Sequence, residues 1–130
     1  MLSHITLGTN DADRSIAFYD ALLAPLGLVR FEGEPGKGFA GYARGPDATP
    51  QFWIVTPLDG KPATVGNGAT FAFEAMSRAD VDAFHARALA GGGRDEGPPG
   101  LRPHYHPDYY GAYARDPDGH KLCCVCHRPG

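Results

Sequence analysis

His4-Ile5-Thr6-Leu7 near the start of the chain and Thr70-Phe71-Ala72-Phe73 near its middle decide the fold. Both alternate in the two-residue period of a half-buried strand. They lie 66 positions apart, and the same offset carries Ala17-Phe18-Tyr19 onto Ala83-Phe84-His85, Leu23 onto Leu89 and Gly27 onto Gly93. Each half therefore opens on a strand, passes through a helix and leaves that helix near a glycine. Identities are few, so the repeat is one of pattern, which is how a repeated structural unit survives in sequence.

The helices follow from spacing. In the first, Asn10 is the expected cap, and Asp11 and Asp13 favour the positive N-terminal end. Ile16, Tyr19, Leu22, Leu23 and Leu26 form its apolar stripe. In the second, Ser77-Arg78-Ala79-Asp80 resembles a capping box, Val81, Phe84, Ala88 and Leu89 carry the stripe, and Gly91-Gly92-Gly93 ends it. Three short strands follow each helix, near 28–32, 38–44 and 51–56 in the first half and 94–97, 109–115 and 121–126 in the second. Glu34-Pro35-Gly36, Gly45-Pro46-Asp47 and Asp116-Pro117-Asp118-Gly119 supply turns.

The expectation is one α+β domain over 1–130, made of two β-α-β-β-β modules at about 1–62 and 66–127. One helix covers one face of four strands. Two modules side by side therefore make a curved mixed sheet around a cup, with helices outside.

Bulk properties narrow the function. The 15 acidic residues against 12 basic give a net charge of −3, which provides no electrostatic footprint for nucleic acid. No apolar run approaches the ~20 residues of a membrane span. Met1-Leu2-Ser3-His4 leads straight into a strand pattern without a signal peptide, so a cytoplasmic location is expected. Cys123, Cys124 and Cys126 are too close together for a structural disulfide and are expected to be reduced and buried.

Strand alternation then assigns faces. Ile5, Leu7, Phe52, Ile54, Phe71, Phe73, Leu122, Cys124 and Cys126 should pack toward the helices. His4, Thr6, Gln51, Trp53, Val55, Thr70, Ala72, Glu74, Cys123 and Val125 should face the cup. His4, Trp53 or Gln51, Thr70 and Cys123 form its expected floor.

The paired modules, the first-strand His4 and the final hairpin Asp116-Pro117-Asp118-Gly119-His120-Lys121-Leu122 resemble the vicinal-oxygen-chelate superfamily of glyoxalases, bleomycin-resistance proteins and extradiol dioxygenases. The resemblance covers essentially the whole chain. The stretch Gly100-Leu101-Arg102-Pro103-His104-Tyr105-His106-Pro107-Asp108-Tyr109-Tyr110-Gly111 resembles a glyoxalase-like subgroup without a settled activity. In metal-dependent members four cup-facing residues hold a divalent ion that polarises two adjacent substrate oxygens. By resemblance those positions are His4, Gln51 (or Trp53), Thr70 and Cys123. Only His4 keeps the usual ligand type. Thr70 and Cys123 stand where His and Glu are usual, so this set is expected not to function as a metal site.

Arg102, His104, Tyr105, His106, Tyr109 and Tyr110 occupy the longest connection of the second half. Arg102 could clamp an anion, the tyrosines could stack and donate hydrogen bonds, and a histidine could move a proton. The candidate ligand-binding set is therefore His4, Trp53, Thr70, Arg102, His104, Tyr105, Tyr110 and Cys123, with no catalytic residue assigned. His85 is expected to pack on its helix face, and His120 and His127 to be solvated.

Three functions compete. The first is a protein binding a small molecule in the cup, without a resident cofactor. The second is a metal-dependent lyase, isomerase or dioxygenase using Zn, Ni, Fe or Mn on a substrate with vicinal oxygens. The third positions an anionic thiol cofactor through Arg102 and the tyrosines. Whether the chain is an enzyme stays open here. The resemblance also implies a homodimer.

Overall fold

Alternation of apolar and polar residues produces eight short strands, and the two apolar stripes produce two helices. The computed structural model describes residues 1–130. The order is β1 (Ile5–Gly8), α1 (Ala12–Leu23), a 3-10 turn (Ala24–Leu26), β2 (Val29–Gly33), β3 (Phe39–Ala43) and β4 (Phe52–Val55). It continues with β5 (Phe71–Glu74), α2 (Arg78–Ala90), β6 (Arg94–Leu101), β7 (Tyr110–Arg115) and β8 (Lys121–Cys126). The β-α-β-β-β succession is therefore repeated as expected.

Each half forms a four-stranded mixed sheet, in the order β1-β4-β3-β2 and β5-β8-β7-β6. β1 runs parallel to β4 with Ile5 opposite Phe52, and β5 runs parallel to β8 with Phe71 opposite Leu122. The repeat thus extends to strand register. β1 and β5 are edge strands, and no backbone ladder joins them. The two sheets do not close into a barrel.

One apolar core of 21 buried residues joins the two halves. Tyr19, Leu22 and Leu23 of α1 and Val81, Phe84 and Ala88 of α2 are fully buried in it. The Phe52 and Phe73 rings meet edge to face across the halves at 5.4 Å. Burying each such ring contributes roughly 1.5–3 kcal/mol.

The local expectations need four corrections. Asp11, not Asn10, caps α1, accepting a hydrogen bond from the Arg14 N–H. Asn10 instead exchanges two hydrogen bonds with the Ala63 backbone. Leu89 is exposed, because it lies at the rim of the stripe as α2 runs out toward Gly91. β6 extends to Leu101 across Pro98 and Pro99, which an edge strand tolerates. His120 is buried, not solvated, and its Nε2 lies 2.7 Å from the Gly8 carbonyl oxygen.

His120 belongs to a clasp between the halves. Tyr19 on α1 donates to the buried Asp116 carboxylate, which also accepts the backbone N–H groups of Asp118 and His120. Asp118 accepts from the Thr9 hydroxyl (2.6 Å), the Asn10 N–H (2.9 Å), the Ser15 hydroxyl (3.0 Å) and the Arg14 guanidinium (3.1 Å). Burial pushes both carboxyls up. At Asp118 the donors from Thr9, Asn10, Ser15 and Arg14 outweigh it and hold the group below the usual carboxylate range. At Asp116 burial, with the neighbouring Asp118 charge, outweighs the donors from Tyr19 and His120 and the group stays raised.

Candidate functional site

The inner face of the first sheet is open. Parity of β1 leaves His4 and Thr6 exposed, and parity of β4 leaves Trp53 and Val55 half-buried beside them. A shallow cavity of about 380 Å³ is lined by Ser3, His4, Thr6, Thr49, Trp53 and Val55. Gly41 explains how Trp53 lies down on this face. It stands opposite Trp53 in the β3–β4 ladder, and a Cβ added to it would fall 2.6 Å from the indole. The His4 Nδ1 is 3.0 Å from the Ser3 hydroxyl, which leaves Nε2 free of protein partners.

The inner face of the second sheet is closed. Cys123 is only 1% exposed because the ring of Tyr109 folds back over Gly111 and covers it. The Tyr109 hydroxyl lies 2.9 Å from that of Tyr113 and 3.7 Å from the Cys123 sulfur. Burial pushes the Cys123 thiol up, against hydrogen bonding from the two tyrosines and the charge of Arg102. The Tyr109 phenol is raised by burial and by its contact with Tyr113. A protonated thiol beneath two protonated phenols is a weak nucleophile and a poor metal ligand at neutral pH.

The remaining candidates are distributed. Arg102 donates to the carbonyls of Gly100 and Pro98, both at 2.8 Å, and lies over the Tyr113 ring at 5.7 Å. Its guanidinium thus braces the end of β6 that leads into its loop. His104 stacks on Tyr105 at 4.2 Å, and Tyr105 on Tyr109 at 4.8 Å, as an exposed aromatic file leading to the covered thiol. Tyr110 turns the other way and donates to Asp82 on α2 at 2.6 Å. Thr70 lines a separate cavity of about 470 Å³ with Asn67, Arg115 and Lys121. Gln51 lines a smaller one of about 180 Å³ at the seam, with Ile5, Phe71 and Phe73.

His4, Gln51, Thr70 and Cys123 therefore line no common cavity among these. No group of three or more His, Cys, Asp or Glu side chains stands close enough to hold one metal ion. The residues of a single chain do not fit the superfamily-type metal, which needs three or four donors on one ion. What this chain offers is an aromatic wall and one free imidazole on one face, and a tyrosine-lined thiol on the other.

Tyr113 is absent from the sequence-based candidates, and Tyr109 is named there only as a loop tyrosine, outside the candidate ligand-binding set. Tyr113 was within reach of sequence, since β7 alternation places it beside Cys123, its ladder partner. Tyr109 was not, because an irregular segment has no parity from which a direction can be read.

Known proteins resemble the chain at two levels. A family model described as "Glyoxalase/Bleomycin resistance protein/Dioxygenase superfamily" matches residues 1–124. A glyoxalase/bleomycin resistance protein from Albidiferax ferrireducens T118 is 48% identical, with a TM-score of 0.82 and 99% of each chain covered. A glyoxalase-related enzyme from Fulvimarina pelagi is 22% identical, with a TM-score of 0.70, over 97% of this chain and 87% of that one. A lactoylglutathione lyase from Agrobacterium tumefaciens is 23% identical, with a TM-score of 0.64, over 97% and 92%. At those lower identities the likeness is one of fold. No curated protein sequence matches the chain.

Proposed function

The chain belongs to the glyoxalase/bleomycin resistance protein/dioxygenase superfamily, and from that premise we propose that it binds a small molecule on the inner faces of its sheets without a resident metal. The observation that carries this reading is the open cavity beside Trp53. An indole wall, a free imidazole and surrounding Thr and Pro suit a planar organic ligand with one hydrogen-bonding group. His4 Nε2 would bond that group, and Trp53 would stack on the ring.

The reading extends to assembly. Within one chain the cavity of His4 and Trp53 is separate from the covered Cys123, and the edges of β1 and β5 carry unpaired backbone groups. A homodimer that set the first sheet of one copy against the second sheet of its partner would cover both edges. It would also complete the cup, from His4 and Trp53 on one side and Tyr109 and Cys123 on the other. In this proposal the chain is one domain of two modules. Three unpaired cysteines are compatible with a reducing cytoplasm.

The alternative, a metal-dependent lyase, isomerase or dioxygenase, rests on His4 and on the fold alone. Metal content decides between the two. Untagged protein dialysed against Zn, Ni, Mn and Fe(II) and measured by mass spectrometry should retain far less than one ion per chain. Near-stoichiometric metal that His4→Ala abolishes would overturn the binding-protein reading. For the binding reading itself, planar aromatic compounds should quench Trp53 fluorescence, and Trp53→Ala should weaken their binding roughly tenfold or more.

A further inference from the structure

The loop that covers Cys123 is tied down by two histidines from different parts of the chain. His106, between β6 and β7, places its Nε2 2.8 Å from the Nδ1 of His127, just beyond β8. The rings stack at 5.1 Å with planes 27° apart. Tyr109 meets both rings edge to face, at 5.7 and 5.6 Å. Neither the fold nor the proposed ligand site requires this pair.

Its protonation follows from its hydrogen bonds. The His106 Nδ1 lies 3.1 Å from the Asp108 backbone nitrogen, which can only donate. That Nδ1 must therefore be bare, so neutral His106 carries its proton on Nε2. The His106 Nε2–H then donates to His127, whose Nδ1 is bare and whose proton sits on Nε2. Both rings are neutral and both tautomers are fixed. A second proton on His106 would set N–H against the Asp108 N–H, and one on His127 would set N–H against N–H between the rings. Either proton breaks one of the two bonds.

We infer that His106 and His127 form a proton-operated latch, closed when both are neutral and opened by acid, which holds Tyr109 over Cys123. The consequence passes through contacts already described: His106 fixes the Asp108 backbone, the stacked imidazoles both abut the Tyr109 ring, and Tyr109 seals the thiol. The charged and titratable groups around the pair oppose one another. The Asp108 carboxylate lies 4.0 Å from the Arg78 guanidinium of α2. Arg128, next to His127, points away to the Met76 sulfur at 3.6 Å. Tyr105 and Tyr109 are phenols, and His104 stacks on the far side of Tyr105. Cys126, before His127, is buried toward α2. No acidic partner is placed to stabilise a charged pair, because the one nearby carboxylate faces Arg78. The two bonds exist together only in the unprotonated form, so the closed latch is present at higher pH and lost in acid.

The test has two arms. Long-range proton–nitrogen correlation spectra near pH 8 should show both His106 and His127 with the proton on Nε2. The second arm follows labelling of Cys123 by a disulfide reagent active in acid, in the wild type and in His106→Phe, at matched pH and located by mass spectrometry. Comparison at one pH cancels the intrinsic chemistry of the thiol. The wild-type rate should be roughly one fifth of the variant's near pH 8 and about equal to it near pH 5. Circular dichroism checks that the variant is folded. An Nδ1–H tautomer at His106 overturns the latch, as does a wild-type-to-variant ratio that does not change with pH. If the variant fails to fold, the tautomers of the wild type decide alone. Neither readout involves the proposed ligand, so failure of the binding reading and failure of the latch remain distinguishable.

Discussion

The two inner faces differ more than their strands do. Both sheets have the same order, the same parallel edge pairing and the same helix behind them. On the first, Trp53 lies flat and His4 and Thr6 stay open. On the second, Cys123 and Val125 are as buried as core residues. The cause is the connection between the second and third strand of each module. In the first half it is the tight segment 34–38, which stays at the edge. In the second half it is 102–109, long enough to swing Tyr109 back over the sheet. The strands supply the platform, and a loop decides whether it is a site or a core.

The largest effect should come from the clasp that holds the two faces in register. Asp118→Ala removes the acceptor of four donors from Thr9, Asn10, Ser15 and Arg14. It should destabilise by about 3 kcal/mol in a denaturant melt. A loss below about 1 kcal/mol would show that the halves are held by their apolar core alone.

Opening the closed face should come next. Tyr109→Ala should cost about 2 kcal/mol from lost packing and expose Cys123 to thiol reagents, while Cys124 and Cys126 stay protected behind the sheet. Unchanged reactivity of Cys123 would mean that Tyr109 does not separate the two faces. On the open side, Gly41→Val should lift Trp53 off the sheet, with a cost of about 1–3 kcal/mol and a red-shifted indole emission. An unmoved emission spectrum would break the assignment of Trp53 to that face.

The smallest effect is a pH dependence. Asp118 titrates below its ordinary range in the folded chain, so the unfolded chain binds its proton first as pH falls. Its stabilisation is complete above the usual carboxylate range and is lost as pH drops through that range toward the folded value. Asp118→Asn should flatten the acid side of the stability curve, and a variant curve parallel to the wild type would argue against the clasp as its source.

Much of this was legible in the residues, because periodicity reports directly on elements that bury one face. The repeat, both helices, the strand succession and the helix-side packing of Phe52, Ile54, Leu122 and Cys124 all follow from spacing. His120 misled because a histidine after Asp-Pro-Asp-Gly looks like a turn tip. Only the approach of β1 supplies the Gly8 carbonyl that makes its burial tolerable. Tyr110 and Tyr109 are neighbours in sequence with opposite fates, one bonded to Asp82 on α2 and the other lying on the sheet's inner face.

What the sequence by itself determined is the pair of β-α-β-β-β modules, the membership they imply and the identity of the side chains on each strand face, since these depend on contacts within a few residues and on a two- or 3.6-residue period. Only the tertiary structure decided that His4, Gln51 and Thr70 line separate cavities, that Asp118 clasps the other half, and that Tyr109 seals Cys123. Those outcomes depend on the relative placement of two halves and on a loop without a period, where contacts between residues distant in sequence settle the direction of every side chain.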